Sequence, residues 1–153
     1  MNKEKIMDKI RLIREDELEH LLSLYHYLNL DDPVLEADVQ LKKLWKSIIS
    51  HPDYFYLVLE EDGMLVSTCN LTVILNLTRQ AKPFGLVENV VTHPNYRNNG
   101  YGTALLKKAV QIAREHGCYK VMLLTSQKDD ATLNFYENAG FNRDEKTGFI
   151  LRI

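Results

Sequence analysis

Arg97-Asn98-Asn99-Gly100-Tyr101-Gly102 joins a strand-like run to a segment with helical periodicity. Upstream, residues 86–92 are rich in β-branched side chains, as is typical of a strand. Downstream, apolar side chains recur at helical spacing, namely Ala104, Leu105, Ala109 and Ile112. The first turn of such a helix has free backbone N–H groups, and glycine lets a bulky anion approach them closely. With the Arg97 guanidinium as a second contact, this turn is suited to bind a pyrophosphate.

Two common phosphate-binding motifs do not fit this stretch. The P-loop requires Lys and then Ser or Thr directly after its second glycine, whereas Thr103 and Ala104 follow Gly102. The dinucleotide fingerprint requires a third glycine near position 105, which is a leucine. The pattern Arg-x-x-Gly-x-Gly instead resembles the acetyl-CoA pyrophosphate loop of the GNAT family of N-acetyltransferases.

A second stretch, Asn134-Phe135-Tyr136-Glu137-Asn138-Ala139-Gly140-Phe141, resembles that family's other signature, a short helix that carries a tyrosine and ends at Gly-Phe. Gly140 is predicted to end the helix in the left-handed conformation. A tyrosine one turn before a cap also has a purely structural interpretation, with its ring packed and its hydroxyl in water. The resemblance is close over residues 84–141, and short stretches at 88–91 and 117–121 are similar to glucosamine-phosphate N-acetyltransferases.

Periodicity predicts strands and helices in the order β, α, α, β, β, β, α, β, α, β. The predicted strands are 10–14, 54–60, 64–75, 84–92, 119–124 and 147–152, and the predicted helices are 15–28, 34–50, one after Gly102, and 129–138. Glu61-Asp62-Gly63 is predicted to be a hairpin turn. This order resembles that of the GNAT family. The resemblance implies one α/β (α+β) domain over residues 1–153, with a mixed, twisted, mostly antiparallel sheet flanked by helices and splayed at the central strand.

Composition limits the class of partner. The chain has 153 residues, 45% of them hydrophobic, and a net charge of −2, which argues against nucleic acid or an anionic membrane as a partner. No segment reaches the roughly 18 apolar residues of a membrane span. Cys69 and Cys118 are expected to be reduced, and the five histidines lack metal-ligand spacing, so no metal is expected. We expect a cytoplasmic protein.

The resemblance implies acetyl-CoA as the co-substrate and assigns residues to it. These are Val90, Val91, Thr92, Arg97, Asn98, Asn99, Gly100, Tyr101, Gly102, Thr103 and Asn134. Tyr136 matches the family's general acid, which protonates the departing thiolate. Many relatives have an asparagine that contacts the cofactor seven residues before that tyrosine, whereas this chain has Asp129, which we expect to cap the helix.

Glu88 is the second catalytic candidate, because a carboxylate on a central strand is rare unless it is paired, solvated or functional. Strand alternation is expected to place it on the same face as Leu86, Val90 and Thr92. Three roles stay open at this point: the base that deprotonates the attacking amine, an anchor for a substrate ammonium, and a partner in a structural ion pair.

The acceptor is the least defined part of the hypothesis. Its binding residues are expected to be Tyr25, Asn29 and Glu88, among a wider set of candidates: His26, Asp31, Asp32, Trp45 and Arg79. Acids and aromatics suit a small molecule with an ammonium group, an amino sugar being one option and a peptide or protein amine the competitor. A non-catalytic acyl-CoA-binding module is the alternative from another class, and a homodimer stays open.

Overall fold

Five strands form one sheet with the order β1-β2-β3-β4-β5 in the computed structural model, which describes residues 3–153. Met1 and Asn2 of the expected 1–153 domain lie outside the described residues. The strands are β1 (Ile10–Leu12), β2 (Tyr54–Glu61), β3 (Met64–Ile74), β4 (Phe84–Thr92) and β5 (Val121–Met122). Strands β1 to β4 pair antiparallel, and β5 pairs parallel to β4. The expected mixed, mostly antiparallel sheet is therefore confirmed.

Helices flank this sheet on both sides. They are α1 (Lys3–Met7), α2 (Leu18–Tyr25), α3 (Val39–Ile49), α4 (Thr78–Ala81), α5 (Tyr101–Glu115) and α6 (Asp130–Asn138). The larger core lies between the sheet and α5, where Leu105, Leu106 and Ala109 are completely buried against strand residues such as Leu71. Helices α2 and α3 bury Leu21, Leu24 and Trp45 on the other face.

The boundaries of two predicted helices differ from those in the structure, and the local sequence explains the difference. The helix predicted at 34–50 begins at Val39, because the Asp38 side chain accepts a hydrogen bond from the Leu41 N–H at 2.7 Å and caps the helix there. The helix predicted at 15–28 consists of a 3₁₀ turn, Glu15–Glu17, followed by α2. The hairpin prediction is confirmed, with φ of 51° at Asp62 and 78° at Gly63.

The strand predicted at 147–152 is wrong, since the structure shows no strand between residues 141 and 153. The segment has β-forming residues but no hydrogen-bonded neighbour, and Phe149 and Leu151 are 92% and 89% exposed. The strand predicted at 119–124 is reduced to the two residues of β5. Propensity for the strand state does not produce a strand where no partner edge runs alongside.

Candidate active site

Strand β4 is paired with β3 on one side, but on its other side it is paired with β5 over only part of its length. Strand β5 pairs with it only at Gly85–Val121 and Leu86–Met122, so the edge of β4 from Val87 to Thr92 has no strand beside it. A cleft of about 1050 Å³ opens there, bounded by α2, β4, the turn before α5, the segment after β5, and α6. The expected splay at the central strand is confirmed.

A β-bulge at Asn89 interrupts β4 inside this cleft. Asn89 has a φ of 54°, and the pairs Thr68–Val91 and Asn70–Glu88 place two residues of β4 opposite one residue of β3. Because of the bulge, Val87 and Val90 both pack on the α5 side. The expectation that Glu88 shares a face with Val90 and Thr92 is therefore wrong, since it assumed unbroken alternation.

Glu88 lies on the side of the sheet that α2 and α3 cover. It is directly opposite Asn70 in β3, which is in turn opposite Tyr56 in β2, and such pairs point to the same face. The Tyr56 ring meets Trp45 of α3 edge-to-face at 5.4 Å. Glu88 is exposed to the cleft and forms no ion pair with any residue of the described range 3–153. That removes the structural ion pair from the three roles considered for it within this part of the chain.

The turn before α5 has the geometry of an anion site. Gly100 is the N-cap residue with a φ of 79°, a conformation that glycine adopts without strain. The first helical hydrogen bond runs from the Ala104 N–H to the Gly100 carbonyl at 3.0 Å, so the N–H groups of residues 101–103 precede it. Arg97 Nε donates to the Thr92 carbonyl at 3.2 Å, which ties the guanidinium to the end of β4.

Gly102 is a glycine for a reason that the sequence did not indicate. A Cβ at this position would lie 3.0 Å from Cζ and 3.1 Å from Cε2 of Phe135 in α6. The missing side chain therefore lets α5 and α6 approach each other at the wall of the cleft.

Nearly all residues predicted for the cofactor line the cleft. These are Val90, Val91, Thr92, Arg97, Asn98, Gly100, Tyr101, Gly102, Thr103 and Asn134. Asn99 does not line it, because its side chain turns back and donates to the Tyr96 carbonyl at 3.0 Å. The Tyr101 ring is buried, and its hydroxyl donates to Glu61 Oε2 at 3.1 Å, which leaves its backbone for a ligand.

Tyr136 of α6 and Glu88 of β4 both line the cleft. Tyr136 is half-buried. Burial raises the pKa of the Tyr136 phenol above its ordinary value of 10.0, and the nearby Cys69 and Glu88 raise it further. Tyr136 therefore carries its proton throughout the neutral range. Asp129 caps α6 as expected, since its carboxylate accepts from the Thr132 N–H at 2.9 Å.

A smaller side pocket of about 210 Å³ adjoins the cleft. Its lining residues come from α2, the segment after it, and the bulge: Leu22, Tyr25, His26, Leu28, Asn29, Asp32, Pro33, Val34, Leu35 and Asn89. Leu28, Asn29 and Asn89 also line the cleft, so the two spaces are continuous. Tyr25, Asn29 and Glu88, predicted for the acceptor, thus lie along one connected cavity.

Three other acceptor candidates lie elsewhere, and one of them is Asp31, which is exposed and lines neither space. Trp45 is buried, and its indole N–H donates to the Glu15 carbonyl at 2.9 Å, which makes it a structural residue. Arg79 lies over the Tyr119 ring at 5.9 Å and lines neither the cleft nor the side pocket.

The sequence reasoning missed part of the cleft. Tyr27 and the segment 124–127 line it, and the Tyr27 hydroxyl lies 3.3 Å from His93 Nε2. Nothing in the local pattern indicated these residues. Asn89 did carry a signal, because asparagine within a strand is unusual and tolerates positive φ, as a bulge requires.

Comparison with known proteins decides the family. The model of the acetyltransferase (GNAT) family matches residues 16–141. The chain belongs to the GNAT family. The resemblance stated for the turn at Gly100 and the helix of Tyr136 is thereby confirmed. Within residues 3–153, no helix has the length and apolar character needed to cross a bilayer.

Relatives of this GNAT protein include acetyltransferases with a named substrate. A glucosamine 6-phosphate N-acetyltransferase from Trypanosoma brucei brucei is 39% identical over 84 residues, which make up 55% of this chain and 55% of that protein. A putative acetyltransferase from Agrobacterium tumefaciens has a TM-score of 0.89 and 38% identity, over 94% of this chain and 99% of its own. The glucosamine-6-phosphate N-acetyltransferase from Arabidopsis thaliana has a TM-score of 0.74 and 25% identity, over 95% and 97% of the two chains. The chain spans about half the length of the trypanosomal relative, 55%.

Proposed function

We propose that this protein transfers the acetyl group of acetyl-CoA directly to a primary amine of a small molecule, within a ternary complex. The observation that carries the proposal is the unpaired edge of β4, which runs from Val87 to Thr92 and ends beside the turn at Gly100. An open strand edge offers alternating N–H and C=O groups, to which the amides of a pantetheine arm can bind as an added strand would.

The donor would lie along this edge with its pyrophosphate at the turn. The N–H groups of residues 101–103, the positive end of the α5 dipole and the Arg97 guanidinium together suit a diphosphate. Residues 90–92 would hold the pantetheine arm, and an N–H aimed at the thioester oxygen would stabilise the developing oxyanion. Asn134 of α6 is a candidate contact from the opposite wall.

Glu88 and Tyr136 suit the two proton transfers. Glu88 takes a proton from the substrate ammonium, and the neutral nitrogen then attacks the thioester carbon. As the C–N bond forms, the C–S bond breaks and the Tyr136 hydroxyl gives its proton to the departing thiolate. The nitrogen gives its remaining extra proton to the Tyr136 phenolate through solvent, Glu88 releases its proton to solvent, and the products are an N-acetyl amine and CoA with its thiol protonated.

A small acceptor is favoured over a protein by the size of the side pocket. Its volume of about 210 Å³ lies below the roughly 300 Å³ at which drug-sized ligand sites begin. The trypanosomal relative, a glucosamine 6-phosphate N-acetyltransferase, makes an amino sugar one candidate within this class.

Release of free thiol from acetyl-CoA, measured against a panel of amines, tests the proposal. We expect thiol release only when an amine is present, together with an equal amount of N-acetyl product by mass spectrometry. Peptides included in the panel test the protein-amine alternative. Calorimetric binding of acetyl-CoA with no thiol release for any amine would favour the non-catalytic acyl-CoA-binding module.

Three further expectations stay proposals. The whole chain is proposed to be one catalytic domain that works in the cytoplasm, and the unpaired thiols of Cys69 and Cys118 fit a reducing compartment. A homodimer also stays a proposal, which the mass of the protein in solution would test.

A further inference from the structure

We infer that the acceptor carries at least two amino groups and no phosphate, so that it is a small diamine or polyamine and not a phosphorylated amino sugar. This inference rests on the proposed function and names the substrate class of the same site. It is drawn from the charges and the unpartnered polar atoms around the side pocket.

Negative charge dominates the elements that enclose the side pocket. Residues 22–35, which supply nine of the ten residues that line the pocket, contain two carboxylates, Asp31 and Asp32, and no Lys or Arg. Asp32 lines the pocket itself, and Glu88 lines the adjoining cleft beside Asn89. Neither acid is in an ion pair within the described part of the chain.

Basic groups that could hold a phosphate lie away from this cavity. Arg97 is the single Lys or Arg among the described residues that line either space, and it is tied to the Thr92 carbonyl at the turn. Lys120 lies over the Phe84 ring at 5.1 Å, near the start of β4, and lines neither space. A phosphate in the side pocket would therefore meet the Asp32 carboxylate, with the Glu88 carboxylate in the adjoining cleft and no Lys or Arg of the described residues in the lining, which is unfavourable.

Two buried polar atoms, one beside Glu88 and one at the side pocket, have no hydrogen-bond partner among the described residues. Asn70 is 8% exposed, and its Oδ1 is buried without a hydrogen-bond partner; it lies beside Glu88 on the same face of the sheet. The Tyr25 hydroxyl is also buried without a hydrogen-bond partner, and the Asn89 side chain lies close to it. Buried polar atoms are normally satisfied. An ammonium group has three N–H donors, which suit the Glu88 carboxylate in the cleft and the Tyr25 oxygen in the side pocket.

The second amino group follows from the chemistry of the reaction. The reacting nitrogen must lose its charge before it attacks, so it cannot keep its attraction to the acidic wall during the reaction. A second ammonium on the same molecule keeps its charge throughout. Asp32 lines the same side pocket as Tyr25 and Asn89, which makes its carboxylate the group to bind that second ammonium.

Paired substrates test this inference in the thiol-release assay. Putrescine and butylamine differ in the second amino group, and glucosamine and glucosamine 6-phosphate differ in the phosphate. We expect kcat/KM to be about 1.4- to fivefold higher for putrescine than for butylamine, the range of one partly exposed charge pair. We expect glucosamine 6-phosphate to be a poorer substrate than glucosamine.

A matched pair of variants locates the second ammonium. Asp32→Asn should raise KM for putrescine more than KM for butylamine and so bring the ratio of kcat/KM for the two amines towards one. Asp31→Asn is the control, because Asp31 is exposed next to it and lines neither space. Melting temperatures of both variants would show that each is folded.

The outcomes separate the two proposals. Equal kcat/KM for putrescine and butylamine, or a preference for glucosamine 6-phosphate, would overturn the diamine inference and leave the acetyltransferase proposal intact. Thiol release with none of the amines would overturn both.

Discussion

Replacement of Tyr136 by phenylalanine separates its chemistry from its packing. The hydroxyl makes no hydrogen bond to any residue in the described range, and the ring that packs against the α5 core is retained. The free energy of unfolding should therefore change by no more than about 0.5 kcal/mol. Loss of the general acid should lower kcat by about 10² to 10⁴-fold, or about 3 to 5 kcal/mol of transition-state stabilisation.

Turnover should be reduced and not abolished. Alignment of amine and thioester supplies about 7 to 11 kcal/mol, and this contribution does not depend on the hydroxyl. Because burial raises the pKa of Tyr136 above 10.0, the wild-type phenol stays protonated at neutral pH. The ratio of wild-type kcat to Tyr136→Phe kcat should therefore be constant from pH 7 to pH 9, because the wild-type phenol stays protonated there.

Tyr101→Phe is the matched control, since Tyr101 also lines the cleft but its hydroxyl is bonded to Glu61. It should lower the melting temperature and leave kcat nearly unchanged, the opposite of the Tyr136 variant. Steady-state rates and thermal melts of the three proteins measure both effects. Wild-type turnover in Tyr136→Phe would refute the reasoning and leave Tyr136 as a structural tyrosine.

Three other changes test separate parts of the account. Glu88→Gln should keep CoA affinity in calorimetry and lower kcat by about 10² to 10⁴-fold, whereas wild-type kcat would exclude Glu88 as the base. Gly102→Ala should destabilise the fold by about 1 to 3 kcal/mol through overpacking against Phe135, and Phe135→Leu in the same chain should restore the melting temperature. Arg11 lowers the pKa of Glu17 to about 2 from 4.5. This pair therefore stabilises the fold fully above pH 4.5 and progressively less as the pH falls towards 2. If the urea midpoint of Glu17→Gln fell with acid as much as that of the wild-type protein, this explanation would be contradicted.

Local patterns predicted the framework of the fold well. The two hairpin strands, the hairpin turn at Asp62 and Gly63, and β4 all depend on short-range periodicity and turn chemistry, which the sequence states directly. The predicted strand at the C-terminus failed because a strand needs a neighbouring edge, and that depends on residues far away in the chain. Strand β5 is shorter than predicted for the same reason, because only two of its residues pair with a neighbouring strand.

The residues of the candidate site also fall into those that a local pattern predicts and those that only the fold brings together. Gly100 and Tyr136 were found because each belongs to a contiguous motif whose spacing carries the signal. Tyr27 and the segment 124–127 were missed because they reach the cleft only through the fold, one from just after α2 and one from just after β5. The bulge at Asn89 shows how one residue with positive φ changes which side chains share a face.

Backbone amide hydrogen exchange with and without acetyl-CoA tests the central claim most directly, because the claim concerns an unpaired strand edge that a ligand completes. We predict slower exchange on binding in peptides that contain residues 90–92 and 101–103. Residues 105–113 of α5, whose N–H groups are already bonded within the helix, should be unchanged. Acetyl-CoA binding that leaves both of the first two segments unchanged, and slows exchange at another surface, would contradict the placement of the donor along β4.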